Sequence, residues 1–270
     1  MKCVSFNVNS LRMRLHQLQA VIDRHRPEVI GLQETKVQDE EYPEAAIAEM
    51  GYHSVFTGQK THYGVALLTR TPLSHPFTAF EGAADDAQKR VVGGVMTAAD
   101  GTEITLINGY FPQGESRDHP VKFPNKARFY ADLKQHLQDH CDPGGAVIVT
   151  GDMNVAPLDL DIGIGEDNRK RWLKTGKCSF LPEERTWLDE LVQWGLRDTF
   201  RARHADAEGH YSWFDYRSRG FEREPKRGLR IDFILATAPL LARLDDAGID
   251  LEVRAMDKPS DHCPVWAKFR

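Results

Sequence analysis

Short apolar runs of strand length recur along the whole chain, at residues 4–8, 29–32, 65–69, 91–97, 104–107, 146–150, 231–236 and 265–269. Between them the apolar positions change to helical spacing. Leu15, Leu18, Val21 and Ile22 form one stripe, closed by Pro27; Phe129, Leu133 and Leu137 form a second, closed near Pro143. A third stripe, Trp187, Leu188, Leu191 and Trp194, stops at Gly195, a residue suited to a left-handed helix cap. Strands interleaved with helices over the full length predict an α/β chain. No linker, repeat or low-complexity tract divides it, so a single domain over residues 1–270 is expected. Three long irregular stretches, 109–124, 156–182 and 209–230, read as loops whose aromatic and basic content suits function better than disorder.

Composition narrows the class only a little. With 41% hydrophobic and 28% charged residues, the 270-residue chain has the balance of a soluble globular protein. It has no stretch of eighteen apolar residues and no apolar leader at the start, which predicts a cytosolic protein without a membrane partner. Cys3, Cys141, Cys178 and Cys263 are scattered and form no CxxC pair, so reduced thiols are expected, not a zinc or disulfide framework.

The net charge of −5 does not favour a nucleic-acid partner, but its distribution does. Residues 169–177 carry five basic side chains and no acid; residues 216–230 carry six against Glu222 and Glu224. Either cluster alone would pass for a solvated face. Trp172, Trp213, Phe214, Tyr216 and Phe221 interleave them, which turns the reading towards a polyanion surface.

The informative acids stand at the ends of predicted strands. Glu34 follows one in GLQETK, and Asp152 and Asn154 follow another in VIVTGDMN; Asp232 opens RIDFILA, and Asp261 and His262 precede the last strand in SDHCPVW. A lone Asp in such a place is ordinarily a turn or cap residue. The whole set is different: several carboxylates with Asn and His are what a hard, oxygen-ligated cation needs, and phosphodiester hydrolysis needs the same assortment. Mg²⁺ suits these donors, with Mn²⁺ able to substitute; zinc does not, because oxygen donors outnumber the histidine and no cysteine joins them.

GLQETK, GDMN and SDH together resemble the endonuclease/exonuclease/phosphatase superfamily, whose members include phosphatases and sphingomyelinases as well as nucleases. These blocks leave the substrate open. The longer blocks INGYFPQGESRDHPVKF, LDIGIGEDNRKRWLKTGKCSFLPEER, YSWFDYRSRGF and GLRID are similar to the bacterial abasic-site endonucleases of the exonuclease III group, nearly end to end. The resemblance implies a four-layer α/β sandwich of two packed mixed β-sheets flanked by helices. It implies Glu34 as the main metal ligand, helped by Asn7 and less directly by Asp261, with Asp152 and Asn154 also around the ion. It further implies Asp152 as the group that activates water, Asn154 as the holder of water or a phosphate oxygen, and His262, fixed by Asp232, facing the scissile phosphate.

Tyr110 and Lys122 would contact the phosphate and Gln113 would lie near the DNA, although Tyr110 also reads as a loop aromatic closing the core. Trp213, Leu229 and Ile231 would wall a pocket for a baseless sugar; Trp213 alone reads equally as core. Arg90, Arg169, Lys170 and Lys177 would grip backbone on either side. The implied activity is that of a monomeric enzyme acting on double-stranded DNA with abasic sites or blocked 3′ ends. Cys263 departs from the family's usual alanine and, as a small buried residue, should leave His262 undisturbed.

Overall fold

The computed structural model describes residues 1–84 and 87–270. Among the described residues twelve strands form two six-stranded sheets. The first has the order β11 (Leu244–Ile249), β12 (Val265–Phe269), β1 (Lys2–Asn7), β2 (Val29–Gln33), β4 (Val65–Thr69) and β3 (His53–Thr57). The second runs β5 (Ser74–Phe77), β6 (Val91–Thr97), β7 (Glu103–Tyr110), β8 (Ala146–Asp152), β10 (Asp232–Ala236) and β9 (Arg197–Asp198). Both sheets are mixed, because β1–β2 and β7–β8 pair in parallel while their other neighbours are antiparallel.

The central strands read as unbroken apolar runs because both of their faces are covered. Cys3, Val29, Val65, Leu67, Ile104, Leu106, Ile148 and Ile234 point between the sheets. Their sequence neighbours Val4, Phe6, Ile30, Leu32, Ala66 and Leu68 meet α1 (Leu15–His25) on one outside, and Val147, Val149, Phe233 and Leu235 meet α3 (Lys122–His140) and α5 (Pro182–Trp194) on the other. Burial of each large side chain of this kind stabilises by roughly 1.5–3 kcal/mol. The order of layers is helix, sheet, sheet, helix, as the resemblance implies.

One polar contact crosses the inter-sheet core. Asn108 of β7 donates to the carbonyls of Leu32 and Ala66 at 2.9 and 3.0 Å and accepts from Gln33 at 2.6 Å. Gly31 makes room for it, since a Cβ there would lie 2.6 Å from the Asn108 Oδ1. The contact locks the two sheets in register next to the strand ends that carry the polar residues.

Three edge strands, β3, β5 and β11, lie outside the expected set, and so does the short β9. The stretch 156–182, expected as loop, contains α4 (Glu166–Thr175), a helix anchored only by Trp172 and Leu173 in the neighbouring apolar cluster. The remaining helices are short: α2 (Glu44–Glu49), α6 (Thr199–Arg203), α7 (Ala238–Leu241) and α8 (Leu251–Arg254). Among the described residues no helix is long and apolar enough to cross a membrane. The four cysteines are free, and Cys3, Cys178 and Cys263 are buried.

Candidate active site

Strand direction gathers the polar residues. The carboxyl ends of the parallel strands β1 and β2, and of β7 and β8, lie at one edge of the sandwich, and the antiparallel β10 and β12 begin there. That edge therefore receives Asn7, Glu34, Tyr110 and Asp152 from strand ends, and Asp232 and His262 from strand starts. Asp152 stands opposite both Asp232 and Tyr110 in the strand register. Glu34 and Asn154 have left-handed backbone, with φ of 50° and 54°, which turns each away from its strand and over the edge.

At the centre, ligand atoms of Glu34, Asp152 and His262 lie within 4.8 Å of one another. His262 Nε2 is 3.8 Å from Asp152 Oδ2, and its Nδ1 is 3.1 and 2.9 Å from the two oxygens of Asp232. Asn7 Nδ2 donates to Asp152 at 2.9 Å and to Glu34 at 3.2 Å. The Tyr110 hydroxyl donates to Glu34 at 2.7 Å, and Asn154 Nδ2 donates to Asp152 Oδ2 at 3.1 Å. The Ser260 hydroxyl ties the end of β1 to this group, donating to the Asn7 carbonyl at 2.7 Å and accepting from the His262 N–H at 3.2 Å.

The electrostatics follow from burial and crowding. Burial, with Asp232 and Glu34 close by, pushes Asp152 up to about 8 against the pull of His262. Burial opposes charge on His262, yet Asp232 and Asp152 outweigh it and push the ring up to about 10. Glu34 is held below the usual carboxylate range: burial raises it, but Lys36, the Tyr110 hydroxyl and His262 more than offset that. Tyr110 remains a phenol, because burial and the nearby Glu34 push it well up.

Several expected residues take other places. Asp261 is not among the three clustered groups; its Oδ1 accepts from Asn9 at 2.8 Å and its Oδ2 from the Trp213 indole at 3.0 Å. Lys122 is exposed and paired with Glu115 at 2.5 Å. Gln113 is exposed and accepts from the Glu115 N–H at 2.7 Å. Arg90 is no exposed grip: it is buried, with its guanidinium 4.1 and 4.7 Å from the ring centres of Tyr63 and Tyr110, where it braces Tyr110. Arg169 is engaged by Asp159 and Glu166, and Lys170 lies 3.6 Å from Glu166 and is otherwise exposed. Lys177 is exposed, with its ammonium 3.9 Å over the Trp172 ring.

Leu229 and Ile231 form a small apolar cluster with Ala156 and Phe180, against which Trp213 packs while remaining partly exposed. The backbone of Trp213 bridges to both Leu229 and His262, so this cluster abuts the His262 ring. A cavity of about 720 Å³ lies between α5, α6 and β10, but it holds none of the clustered groups, and chemistry, not volume, marks the site. Two residues, Lys36 and Asn9, escaped the sequence reading. Lys36 pairs with Glu34 at 3.0 Å and donates to Asn9 at 2.6 Å, making a cation–amide bridge from Glu34 to Asp261. Its signal is present in GLQETK, two positions after Glu34.

A two-sheet sandwich with carboxylates and a histidine gathered at one edge defines a class of metal-dependent phosphoester hydrolases. The chain belongs to the Endonuclease/Exonuclease/phosphatase family, which it matches over residues 4–262. It is 53% identical over 270 residues to the exodeoxyribonuclease III of Haemophilus influenzae, covering all of both chains. Among solved structures it is similar to the 3′ phosphatase NExo from Neisseria bound to product DNA hairpin, with a TM-score of 0.90 and 36% identity over 100% of this chain and 99% of that one. An AP endonuclease from Archaeoglobus fulgidus superposes with a TM-score of 0.89 at 33% identity, over 100% and 99% of the two chains.

Proposed function

We propose that the enzyme cuts damaged double-stranded DNA on the 5′ side of abasic sites, leaving a 3′-hydroxyl, and removes nucleotides and blocking phosphates from 3′ ends, with Mg²⁺ as its ion. One observation carries this reading: the Glu34–Asp152–His262 cluster directly adjoins the apolar cluster of Trp213, Leu229 and Ile231, which would wall a hollow for the lesion. An intact nucleotide is bulky and stacked, whereas a bare deoxyribose turns out of the helix at low cost and is apolar enough for such walls.

The residues present fit a hard divalent cation. Glu34 and Asp152 supply oxygens, no thiolate competes, and a carboxyl pushed as high as Asp152 is one that a neighbouring cation draws back to its ionised form. Glu34 and Asp152 would hold it, with Asn7 orienting both carboxylates. Its chemistry would be to neutralise charge gathering on the phosphate oxygens.

The protein's own groups do the remainder. Asp152, kept ionised once the cation is bound, accepts the proton of the attacking water. Asn154 fixes Asp152 with one Nδ2 proton and gives the other to the Phe111 carbonyl, which leaves its Oδ1 to accept from the water. His262, held as an imidazolium by Asp232, presents Nε2 to the phosphate, where a charge-assisted hydrogen bond strengthens as negative charge grows. Tyr110, braced by Arg90, keeps Glu34 in place.

The test is a side-by-side assay of duplexes carrying an abasic site, a plain nick, a 3′-phosphate or an RNA strand, with a soluble phosphoinositide headgroup as a fifth substrate. Cleavage at the abasic site and loss of the 3′-phosphate are expected. Headgroup hydrolysis with every DNA substrate intact would overturn the reading.

A further inference from the structure

Beneath the site lies an ion pair that the chemistry above does not use. Lys126 of α3 and Glu184 of α5 are both fully buried and bonded to each other. An ammonium has three protons to give, and all three are placed: one on Glu184, one on the Asn154 carbonyl at 2.8 Å and one on the Gln113 carbonyl at 3.3 Å. The other oxygen of Glu184 accepts from the N–H groups of Ser179 and Leu181, each at 2.8 Å. Between those two residues sits Phe180, which packs on Leu229 and Ile231 and stacks against Trp172.

A single pair thus touches three loops: that of Gln113, that of Asn154, and that of Phe180. Two of the touched residues have strained backbone, Asn154 at φ 54° and Ser179 at φ 125°, and neither is a glycine. Gly114 permits the close approach, since a Cβ there would lie 2.9 Å from Cys178 Sγ and 3.1 Å from Lys126 Cδ. Strained residues persist only where their surroundings over-determine them, and buried charges persist only where every donor and acceptor is met.

We propose that Lys126, paired with Glu184, is a positioning residue that sets the distance between Asn154 and the Phe180 wall of the lesion hollow. The pair thereby governs how fast a seated lesion is cut, and leaves its binding largely unaffected. This rests on the abasic-site reading, because it needs a hollow and a water-activating group that must be held together. Neither side chain touches the DNA or the reacting atoms; both act through the loops they hold.

The test replaces the pair by two apolar side chains of similar length, Lys126→Met with Glu184→Met, in the full chain. The replacement also strands the Ser179 and Leu181 N–H groups and the Asn154 and Gln113 carbonyls, so folding is measured separately from rate. Melting temperature, affinity for a duplex with one abasic site in chelator, and single-turnover nicking of that duplex with Mg²⁺ are compared with the parent. Melting should fall yet leave the chain folded at the assay temperature, and affinity should stay within about threefold, while nicking slows about a hundredfold, the scale of a 1 Å misplacement. Nicking within about threefold of the parent, or a loss matched by an equal loss of affinity, overturns the proposal. If the double variant does not fold, Glu184→Asp keeps the charge but withdraws the carboxylate from Ser179 and Leu181; it must then show the same split between rate and affinity, and parental nicking sinks the idea. A parent that never nicks the abasic duplex defeats the underlying reading instead, and the inference with it.

Discussion

The indole N–H of Trp213 donates to the carboxylate of Asp261 at 3.0 Å, and the residue after Asp261 is the histidine that faces the Asp152 carboxylate. Segments 212–214 and 261–263 are also tied through their backbones, with Phe214 donating to the Asp261 carbonyl at 2.9 Å and Cys263 to the Ser212 carbonyl at 2.7 Å. Trp213 and the His262 ring are therefore one mechanical unit. Trp213→Ala should lower kcat/KM on an abasic duplex by the value of a large apolar contact in a substrate pocket, about 1–3 kcal/mol, or roughly 10- to 200-fold. Trp213→Phe, which keeps the apolar face and loses only the indole bond, should fall less. Steady-state kinetics on one lesion decide it; an unchanged Trp213→Ala enzyme would place the residue in the core and not in recognition.

Asp152→Asn keeps the shape of the side chain and deletes the proton acceptor. Turnover should drop by about 10²–10⁴, the usual contribution of a general base, while affinity for the abasic duplex persists. The change also replaces an acid that burial and the nearby Asp232 and Glu34 disfavour in its ionised form by a neutral amide, so folding should not suffer. Single-turnover rates and gel-shift affinities check both halves, and parental turnover would remove Asp152 from the chemistry.

Asp250 predicts a pH effect on stability. It caps α8 by accepting from the Glu252 and Val253 N–H groups and bonds Arg24 and His25 from α1 at 2.9 and 2.7 Å. Burial alone would raise it, but these bonds outweigh burial and hold it down at about 2. A carboxylate depressed in the folded state stabilises above its unfolded value near 4, and loses that contribution as pH falls from about 4 to about 2. Asp250→Asn should cost about 2 kcal/mol at pH 7 and about half as much at pH 3. Urea unfolding at both values tests this; a difference that does not shrink on acidification speaks against the linkage.

Much of this was readable in the sequence where both faces of an element are covered. The strands β4, β6 and β12 follow their apolar runs residue for residue. Edge strands did not declare themselves, because β3 is partly exposed, β5 carries Pro76, and β11 reads LDDAGI. The α4 segment EDNRKRWLKT offers two apolar anchors in ten residues, too few for a stripe. Glu34, Asp152, Asp232 and His262 stood out because apolar strands flank them. The Lys126–Glu184 pair gave no pattern, since its two residues come from remote segments and only the folded backbone brings them together.

Lys177 offers a test of the basic surface. Its ammonium lies over Trp172 and has no carboxylate partner among the described residues, unlike Arg169, so it is free to meet phosphate. Lys177→Ala should weaken binding to all duplexes alike and reduce the slope of log affinity against log salt by about 0.9, the value for one phosphate. A variant that lost affinity for the lesion alone, with the slope unchanged, would move Lys177 out of backbone contact.

The central claim is that the Glu34–Asp152–His262 cluster works with a divalent cation to break a phosphodiester bond next to a missing base. Its most direct test is nicking of a duplex with a single abasic site by metal-stripped enzyme, first in chelator and then in excess Mg²⁺. The account predicts no cut in chelator and, with Mg²⁺, a cut on the 5′ side of the lesion that leaves a 3′-hydroxyl. Nicking that continues unabated in chelator would contradict it.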